Sequence, residues 1–128
     1  MVESKAGMGI GEEIIESIRD AKERVWVCTP FISIKYAKLL AEKASEGLDV
    51  RIITSPSSSS IRALDAIRDS DVRIKIVEEA FIHAKLYIID DVTFTGSVNL
   101  TESSIEKNYE VLTVFRGEEG RELREQFL

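Results

Sequence analysis

Two periods of hydrophobic residues run along the chain, and each predicts a different kind of element. From Gly11 onward, apolar residues such as Ile14 and Ile18 recur at helical spacing, which predicts a first helix of about 12 residues. Residues 25–29 are β-branched or aromatic apart from one cysteine, which is typical of a buried strand, and Pro30 ends it. The chain therefore opens its folded part with a helix followed by a strand.

The next stretch repeats this order of helix and strand. Apolar residues between Tyr36 and Ala44 predict a second amphipathic helix, and Gly47 stands where a left-handed C-terminal cap is expected. Residues 50–54 then predict another strand. Because a helix joins the two strands, we expect them to be parallel, with a right-handed crossover.

A run of serines, residues 55–60, connects this unit to a third helix. Either Ser59 or Ser60 is expected to cap that helix, and the run is either a mobile connection or a lid that faces the substrate. Residues 72–76 alternate apolar and basic side chains, which predicts a half-buried strand near the sheet edge.

The last part of the chain predicts antiparallel strands. Residues 84–89 and 92–95 are separated only by Asp90 and Asp91, a connection that allows only a tight hairpin. A helical turn after Gly96, a strand at residues 109–115 and a charged helix at about residues 118–127 follow. The expected fold is an α/β domain at residues 10–128, with a mixed parallel and antiparallel sheet flanked by helices on both faces, behind a flexible N-terminal segment at residues 1–9.

Composition excludes several classes of protein. The chain has 128 residues, of which 44% are hydrophobic and 31% charged, so it is neither collagen-like nor disordered. Cys28 and His83 are the only cysteine and histidine, which excludes an intrachain disulfide and the usual zinc cluster. No apolar run is long enough to span a membrane, and no signal peptide is recognisable, so a cytoplasmic protein is expected. The net charge of -6 argues against broad binding of duplex DNA.

Candidate chemistry gathers around the histidine. In a strand, His83 and Lys85 project to the same face, which brings an imidazole beside an ammonium group. Ser97 and Asn99 are also two residues apart, and their hydroxyl and amide groups are suited to bind oxygens that the lysine attracts. Together these side chains predict a site that binds phosphate.

These residues resemble the signature of a known family, the phospholipase D superfamily of phospholipases, metal-independent nucleases and related phosphodiesterases. The matching stretches read His83-x-Lys85-x-x-x-x-Asp90, Gly96-Ser97-x-Asn99-x-Thr101 and Asn108-x-Glu110. The likeness covers about residues 10–116, and one departure is that five residues separate Asp90 from Gly96 where many members have six. In a continuous strand Asp90 would point to the opposite face from His83, so we assign Asp90 to structural support. We also assign Gly96 to structural support.

The resemblance implies a two-step displacement through a covalent phosphohistidine. His83 is the expected nucleophile, Lys85, Ser97 and Asn99 bind the phosphoryl oxygens, and Glu110 orients the imidazole. A second histidine protonates the leaving oxygen, and neither a metal nor another cofactor is expected.

One histidine per chain has a consequence for assembly. In-line displacement puts the nucleophile and the leaving group on opposite sides of phosphorus, so one imidazole cannot serve both. We therefore expect a homodimer whose two copies of His83 share one site, titrate as a coupled pair and give a bell-shaped pH profile.

The leading hypothesis is a metal-independent phosphodiesterase, nuclease-like, that hydrolyses phosphodiester bonds, with nucleic acid as the expected substrate. The alternative is a catalytically weak or inactive dimerisation or ligand-binding domain of a larger regulator or DNA-processing protein, with further domains outside this chain. A lipid-cleaving enzyme is disfavoured, because no amphipathic membrane helix is evident. We assign Cys28 as a buried thiol. We assign five aromatic residues to core packing in preference to base stacking: Trp26, Tyr87, Phe94, Tyr109 and Phe115.

Overall fold

The computed structural model describes residues 2–127, which form one mixed sheet with helices on both faces. The strands are β1 (Glu3–Met8), β2 (Arg24–Cys28), β3 (Asp49–Thr54), β4 (Arg73–Ile76), β5 (Leu86–Ile89), β6 (Val92–Gly96) and β7 (Tyr109–Arg116). The α-helices are α1 (Glu12–Asp20), α2 (Ile34–Ser45), α3 (Ser58–Ala66) and α4 (Arg121–Phe127). A π-helical turn (Ser103–Lys107) precedes β7, and a 3-10 turn (Gly117–Gly120) precedes α4.

The seven strands lie in the order β1-β7-β6-β5-β2-β3-β4. Strands β2, β3 and β4 are parallel, as the helix between β2 and β3 predicted, and all other neighbours are antiparallel. The hairpin of β5 and β6 is confirmed, and β4 is an edge strand. This mixed sheet is the expected fold class.

The main core lies between one face of the sheet and helices α1, α2 and α3. These helices bury the apolar residues that recur at helical spacing, including Ile14, Ile18 and Leu40. From the sheet, alternate residues such as Val27 and Tyr87 point into the same core. We call this side of the sheet the inner face.

The opposite side, the outer face, is covered by α4. Trp26 is buried there, and its indole ring stacks on Phe127 at 5.4 Å between ring centroids. Gly120, just before α4, approaches Thr93 so closely that a Cβ atom would lie 2.5 Å from its hydroxyl. Helix α4 therefore crosses the outer face from β6 towards β3.

Within residues 1–9, for which the sequence predicts a flexible lead-in, the structure has a strand. Residues Glu3–Met8 form β1, an edge strand that pairs with β7 along its whole length. Backbone pairing and ion pairs hold it, since Arg116 bonds Glu3 and Lys5 bonds Glu13. Its low apolar content hid this strand, because an exposed edge strand does not need a hydrophobic face.

Three further expectations differ from the structure. Ser57, and not Ser59 or Ser60, caps α3 by accepting the Ser60 N–H at 3.2 Å. The Ser60 side chain is fully buried instead and donates to the Pro30 carbonyl. Tyr109, assigned to the core, is 72% exposed. Strand β4 is exposed along its length rather than half-buried.

Within residues 2–127, no helix combines the length and apolar character needed to cross a bilayer.

Candidate active site

His83, Lys85 and Ser97 line one cavity of about 520 Å³, located where β5 begins and β6 ends. His83 and Lys85 lie in an irregular segment just before β5, not within a strand as predicted, since β5 begins at Leu86. Leu123 of α4 forms another part of the cavity wall. The irregular segment before β5 therefore brings the imidazole and the ammonium group to the same cavity, and the alternation of side chains along a strand does not.

Gly96 lets the chain turn into the cavity at the end of β6. Its φ is +150°, and a Cβ atom there would lie 2.2 Å from the carbonyl oxygen of Val111. Only glycine allows β7 to approach so closely. Gly96 therefore fixes the place where Ser97 leaves the sheet.

Glu110 is held by two serine hydroxyls. Ser97 Oγ donates to Glu110 Oε1 at 2.5 Å, and Ser104 Oγ donates to Glu110 Oε2 at 2.6 Å. Ser97 Oγ also accepts the backbone N–H of Val111 at 3.0 Å. Both carboxylate oxygens thus have partners, and among the hydrogen bonds of residues 2–127 none joins Glu110 to His83.

Asn99 follows the cavity residue Ser97 by two positions and has hydrogen-bond partners on two sides. Its backbone N–H donates to Ser104 Oγ at 2.9 Å, and its Oδ1 accepts from the buried hydroxyl of Thr29 at 3.4 Å. The Thr29 hydroxyl has one proton, and it also donates to the Phe31 carbonyl oxygen at the shorter distance of 3.1 Å, so its contact with Oδ1 is the weaker of the two. Neither Asn99 nor Glu110 lines the cavity directly.

Asp90 lies at the far end of β5, in the turn of the hairpin. Its carboxylate accepts the backbone N–H groups of Lys22, Glu23 and Arg24 at 2.9, 2.8 and 3.1 Å. Burial alone would raise the pKa of this carboxyl, but these three donors lower it below its usual range. Asp90 ties the hairpin to the start of β2.

Two polar residues at the site escaped the sequence analysis. Ser104 is buried and connects Glu110 to Asn99, and it belongs to the π-helical turn, a geometry often found at functional sites. Thr29 is fully buried at the end of β2. The hydrogen bond from Ser104 N to Thr101 Oγ1 is a local turn that the spacing of these two residues could have indicated.

Four exposed apolar side chains line the cavity or lie near residues that line it. Phe81 is 70% exposed, and its ring lies 5.8 Å from that of His83. Met8 and Tyr109 are exposed register partners on β1 and β7, and Val111, also exposed, lines the cavity. We call these four residues the apolar rim.

Cys28, which the sequence predicts to be buried, is partly buried and does not line the cavity. Burial raises the pKa of the Cys28 thiol, which keeps it protonated and a poor nucleophile. Within residues 2–127, no three side chains of the histidine, cysteine, aspartate or glutamate type are grouped so as to hold a metal ion.

The sheet order, the helices on both faces and the cavity with histidine and lysine define an α/β domain of the phospholipase D type. A family model described as "Cardiolipin synthase, PLD-like domain" matches residues 14–128. Cardiolipin synthase A of Pseudomonas aeruginosa is 33% identical over 111 residues, which cover 78% of this chain and 22% of that protein. The chain thus belongs to the phospholipase D superfamily, among the PLD-like domains, and spans about a fifth of the length of this curated relative.

Solved structures agree on the fold. Nuc from Salmonella typhimurium, a phospholipase D family member, has a TM-score of 0.82 and 22% identity, covering 99% of this chain and 92% of that one. NucT from Helicobacter pylori has a TM-score of 0.72 and 24% identity, covering 98% of this chain and 92% of that one.

Proposed function

We propose that this domain is a metal-independent phosphodiesterase, nuclease-like, that acts through a covalent phosphohistidine on His83. The observation that carries the proposal is that His83, Lys85 and Ser97 line the same cavity. Lys85 has no ion-pair partner among residues 2–127, so its charge is available to a phosphoryl oxygen. We further propose a cytoplasmic setting, because Cys28 has no partner for an intrachain disulfide.

The reaction runs in two displacements. His83 attacks phosphorus, a nitrogen–phosphorus bond forms, and the bond to the leaving oxygen breaks as that oxygen takes a proton from a second imidazole. Water then attacks the phosphohistidine, gives its proton to the second imidazole and releases the phosphate product and free His83. Lys85 and the side-chain amide of Asn99 stabilise the charge on the phosphoryl oxygens.

The second imidazole comes from another copy of this chain. His83 is the only histidine, so a homodimer with a shared site completes the chemistry. The apolar rim supports this assembly, because exposed apolar side chains grouped next to a cavity mark a surface that another protein covers. In this assembly two copies of His83 face one phosphate from opposite sides.

The proposal is tested with bis-p-nitrophenyl phosphate and short DNA in excess EDTA. We expect hydrolysis that survives chelation, a phosphoenzyme that can be trapped, and loss of both in His83→Asn. An equimolar mixture of unfolded wild type and His83→Asn, refolded together, should retain about half the activity of its wild-type subunits, because mixed dimers are inactive. Full activity of the wild-type share, or activity in His83→Asn alone, would reject the shared site.

Two other functions are favoured by particular observations. Similarity to cardiolipin synthase A favours phosphatidyl transfer, in which an alcohol replaces water in the second displacement. The net charge of -6 weakens the binding of a long polyanionic substrate, which favours a dimerising module that binds a small phosphate ligand without turnover. Product analysis with phosphatidylglycerol vesicles identifies the first, and phosphate binding with no hydrolysis of any diester identifies the second.

A further inference from the structure

A second recess lies on the outer face, away from the cavity that holds His83. It has a volume of about 180 Å³ and is bounded by strands β3 and β4 and the end of α4. Phe127 and Ile53 supply apolar surface, and Arg51, Arg73 and Lys75 supply positive charge. We call this recess the cationic cleft.

The charges in the cationic cleft are unequal. Arg51 is held by Asp49 through two hydrogen bonds of 3.0 and 2.9 Å, and its guanidinium lies 4.7 Å over the ring of Trp26. The hydrogen bonds from Arg51 lower the pKa of Asp49, and the charge of Arg73 adds to this effect through space. Arg73 and Lys75 are exposed, and neither has a hydrogen-bond or ion-pair partner among residues 2–127. The cleft therefore carries two positive charges that no neighbouring carboxylate contacts.

Strand register places the cationic cleft at a defined distance from the catalytic cavity. Lys75 pairs with Ile53, Ile53 with Cys28, and Cys28 with Leu86. Three steps between neighbouring strands span about 14 Å, and Leu86 lines the cavity close to His83. A stacked nucleic acid strand rises about 3.4 Å per nucleotide, so this span corresponds to about four nucleotides.

We propose that the cationic cleft binds the backbone of a single-stranded nucleic acid about four nucleotides from the phosphodiester at His83. Arg73 and Lys75 contact phosphates, and a base packs against the surface of Phe127 and Ile53. This inference rests on the proposed function, since it extends the substrate of the same site.

The shape and charge of the cleft favour a nucleic acid strand over a lipid surface. Its two free cations line a recess that also contains an aromatic ring, and a polynucleotide presents phosphates and planar bases together. A membrane presents a flat layer of headgroups, which would favour cations on a protruding surface. The overall charge of -6 also makes a local contact necessary, because the molecule as a whole repels polyanions.

The test compares substrates that do and do not reach the cleft. With wild-type protein, kcat/KM per bond should rise by about tenfold between a two-nucleotide and an eight-nucleotide single strand, since only the longer one spans both places. In the double variant Arg73→Ala, Lys75→Ala this rise should disappear, while cleavage of the two-nucleotide substrate stays within about twofold. Binding measured by fluorescence anisotropy should show a salt slope smaller by about 1.4, for two lost phosphate contacts.

Two control variants separate local contact from net charge and from loss of structure. Lys22→Ala, Lys38→Ala removes the same charge at exposed positions elsewhere and should keep the length dependence. The double variant Arg73→Lys, Lys75→Arg keeps both charges and should retain the rise in kcat/KM with substrate length. A length dependence that persists without Arg73 and Lys75, or that is equally lost in the Lys22 and Lys38 control, would overturn the proposal.

Failure of this inference is distinguishable from failure of the proposed function. If the wild-type protein hydrolyses no diester, anisotropy with the eight-nucleotide strand still measures whether Arg73 and Lys75 bind it. If the double variant loses affinity for phosphatidylglycerol vesicles and not for the oligonucleotide, the cleft is a lipid contact and the nucleic acid assignment is wrong.

Discussion

Ser104 connects the polar residues of the candidate site. It is buried, its hydroxyl donates to Glu110, and the same oxygen accepts the backbone N–H of Asn99. A hydroxyl can make both bonds at once because it is a donor and an acceptor. Ser104 therefore positions both the carboxylate and the loop that carries the Asn99 amide, without touching the substrate itself.

Replacing Ser104 by alanine should lower kcat much more than it changes KM. The change leaves an oxygen of Glu110 and the N–H of Asn99 without their partner, so the amide loses its fixed direction. We expect a fall in kcat of about 10- to 100-fold with bis-p-nitrophenyl phosphate. Ser103→Ala, at the exposed neighbouring position, is the matched control.

A merely structural role for Ser104 predicts a different result. In that case the fraction of folded protein falls, and kcat per folded molecule is unchanged. Thermal unfolding measured alongside the kinetics separates these outcomes, and Ser104→Thr, which keeps the hydroxyl, should recover part of kcat.

At this scale, sequence reasoning identified residue types better than their partners. The spacing of His83 and Lys85 indicated a phosphate site, and both line the same cavity. Glu110 was expected to bond the imidazole, yet its two oxygens accept from Ser97 and Ser104. Such pairing depends on distances of a few tenths of an ångström across β6 and β7, and the sequence does not contain them.

Among the elements, the hairpin of β5 and β6 depends on Asp90 in its turn. Asp90 adopts a positive φ of 54° in its turn, a conformation that aspartate and asparagine tolerate better than most residues. Its three backbone donors come from the loop before β2. The turn therefore fixes the start of β2 as well as the hairpin.

The substitution Asp90→Asn, studied at several pH values, tests how much the hydrogen bonds to the Asp90 carboxylate stabilise the fold. Asparagine accepts the same backbone conformation but replaces one acceptor by a donor that faces the Lys22 N–H, so the variant should lose about 1 to 3 kcal/mol of unfolding free energy at neutral pH. The pKa of Asp90 is lower in the folded state, so the stabilisation is present above the unfolded value of about 3.9. It is lost as the pH falls through the lower, folded value.

Urea unfolding from neutral pH down to about pH 3 measures this dependence. The difference between wild type and Asp90→Asn should narrow at the acid end, because protonation removes the charge from the wild-type carboxylate. Asp91→Asn, at the adjacent exposed position, should follow the wild-type curve. A constant difference at every pH would show that charge on Asp90 contributes nothing.

Elements were predictable where local chemistry decides them. Two residues between β5 and β6 allow only a hairpin, and the glycine after α2 marks a helix end. Strand β1 was missed because its stability comes from pairing with β7, a contact 100 or so residues away in sequence that no local pattern records. The irregular approach to β5 that holds His83 was also hidden, because its residues read as an extension of that strand.

At the scale of the whole molecule, the apolar rim is an exposed apolar surface next to the cavity. Its exposed side chains come from β1, β7 and the segment before β5, three parts of the chain that meet only in the folded sheet. This rim was not predictable from sequence, since Tyr109 looked like a core residue by its alternation within a strand. Its position next to the cavity connects assembly with chemistry.

The substitution Tyr109→Glu should dissociate the proposed homodimer and abolish hydrolysis together. A carboxylate buried between two copies is costly, because it loses its hydration among the apolar side chains of the rim. Light scattering coupled to size exclusion should give twice the chain mass for wild type and the single chain mass for the variant.

Ile61→Glu places the same charge on α3, at another exposed apolar position, and should leave mass and activity as in wild type. If Tyr109→Glu remains a dimer, or becomes a monomer that is fully active, the rim is not the surface that completes the site.

The chain contains a single tryptophan, and its position gives the molecule a built-in optical reporter. Trp26 stacks on Phe127, with Arg24 and Arg51 each near its ring. Every change in intrinsic tryptophan emission must arise at this contact between α4 and the sheet, which lies beside the cationic cleft. Undocking of the last helix, or arrival of a ligand next to it, would be visible without any attached dye.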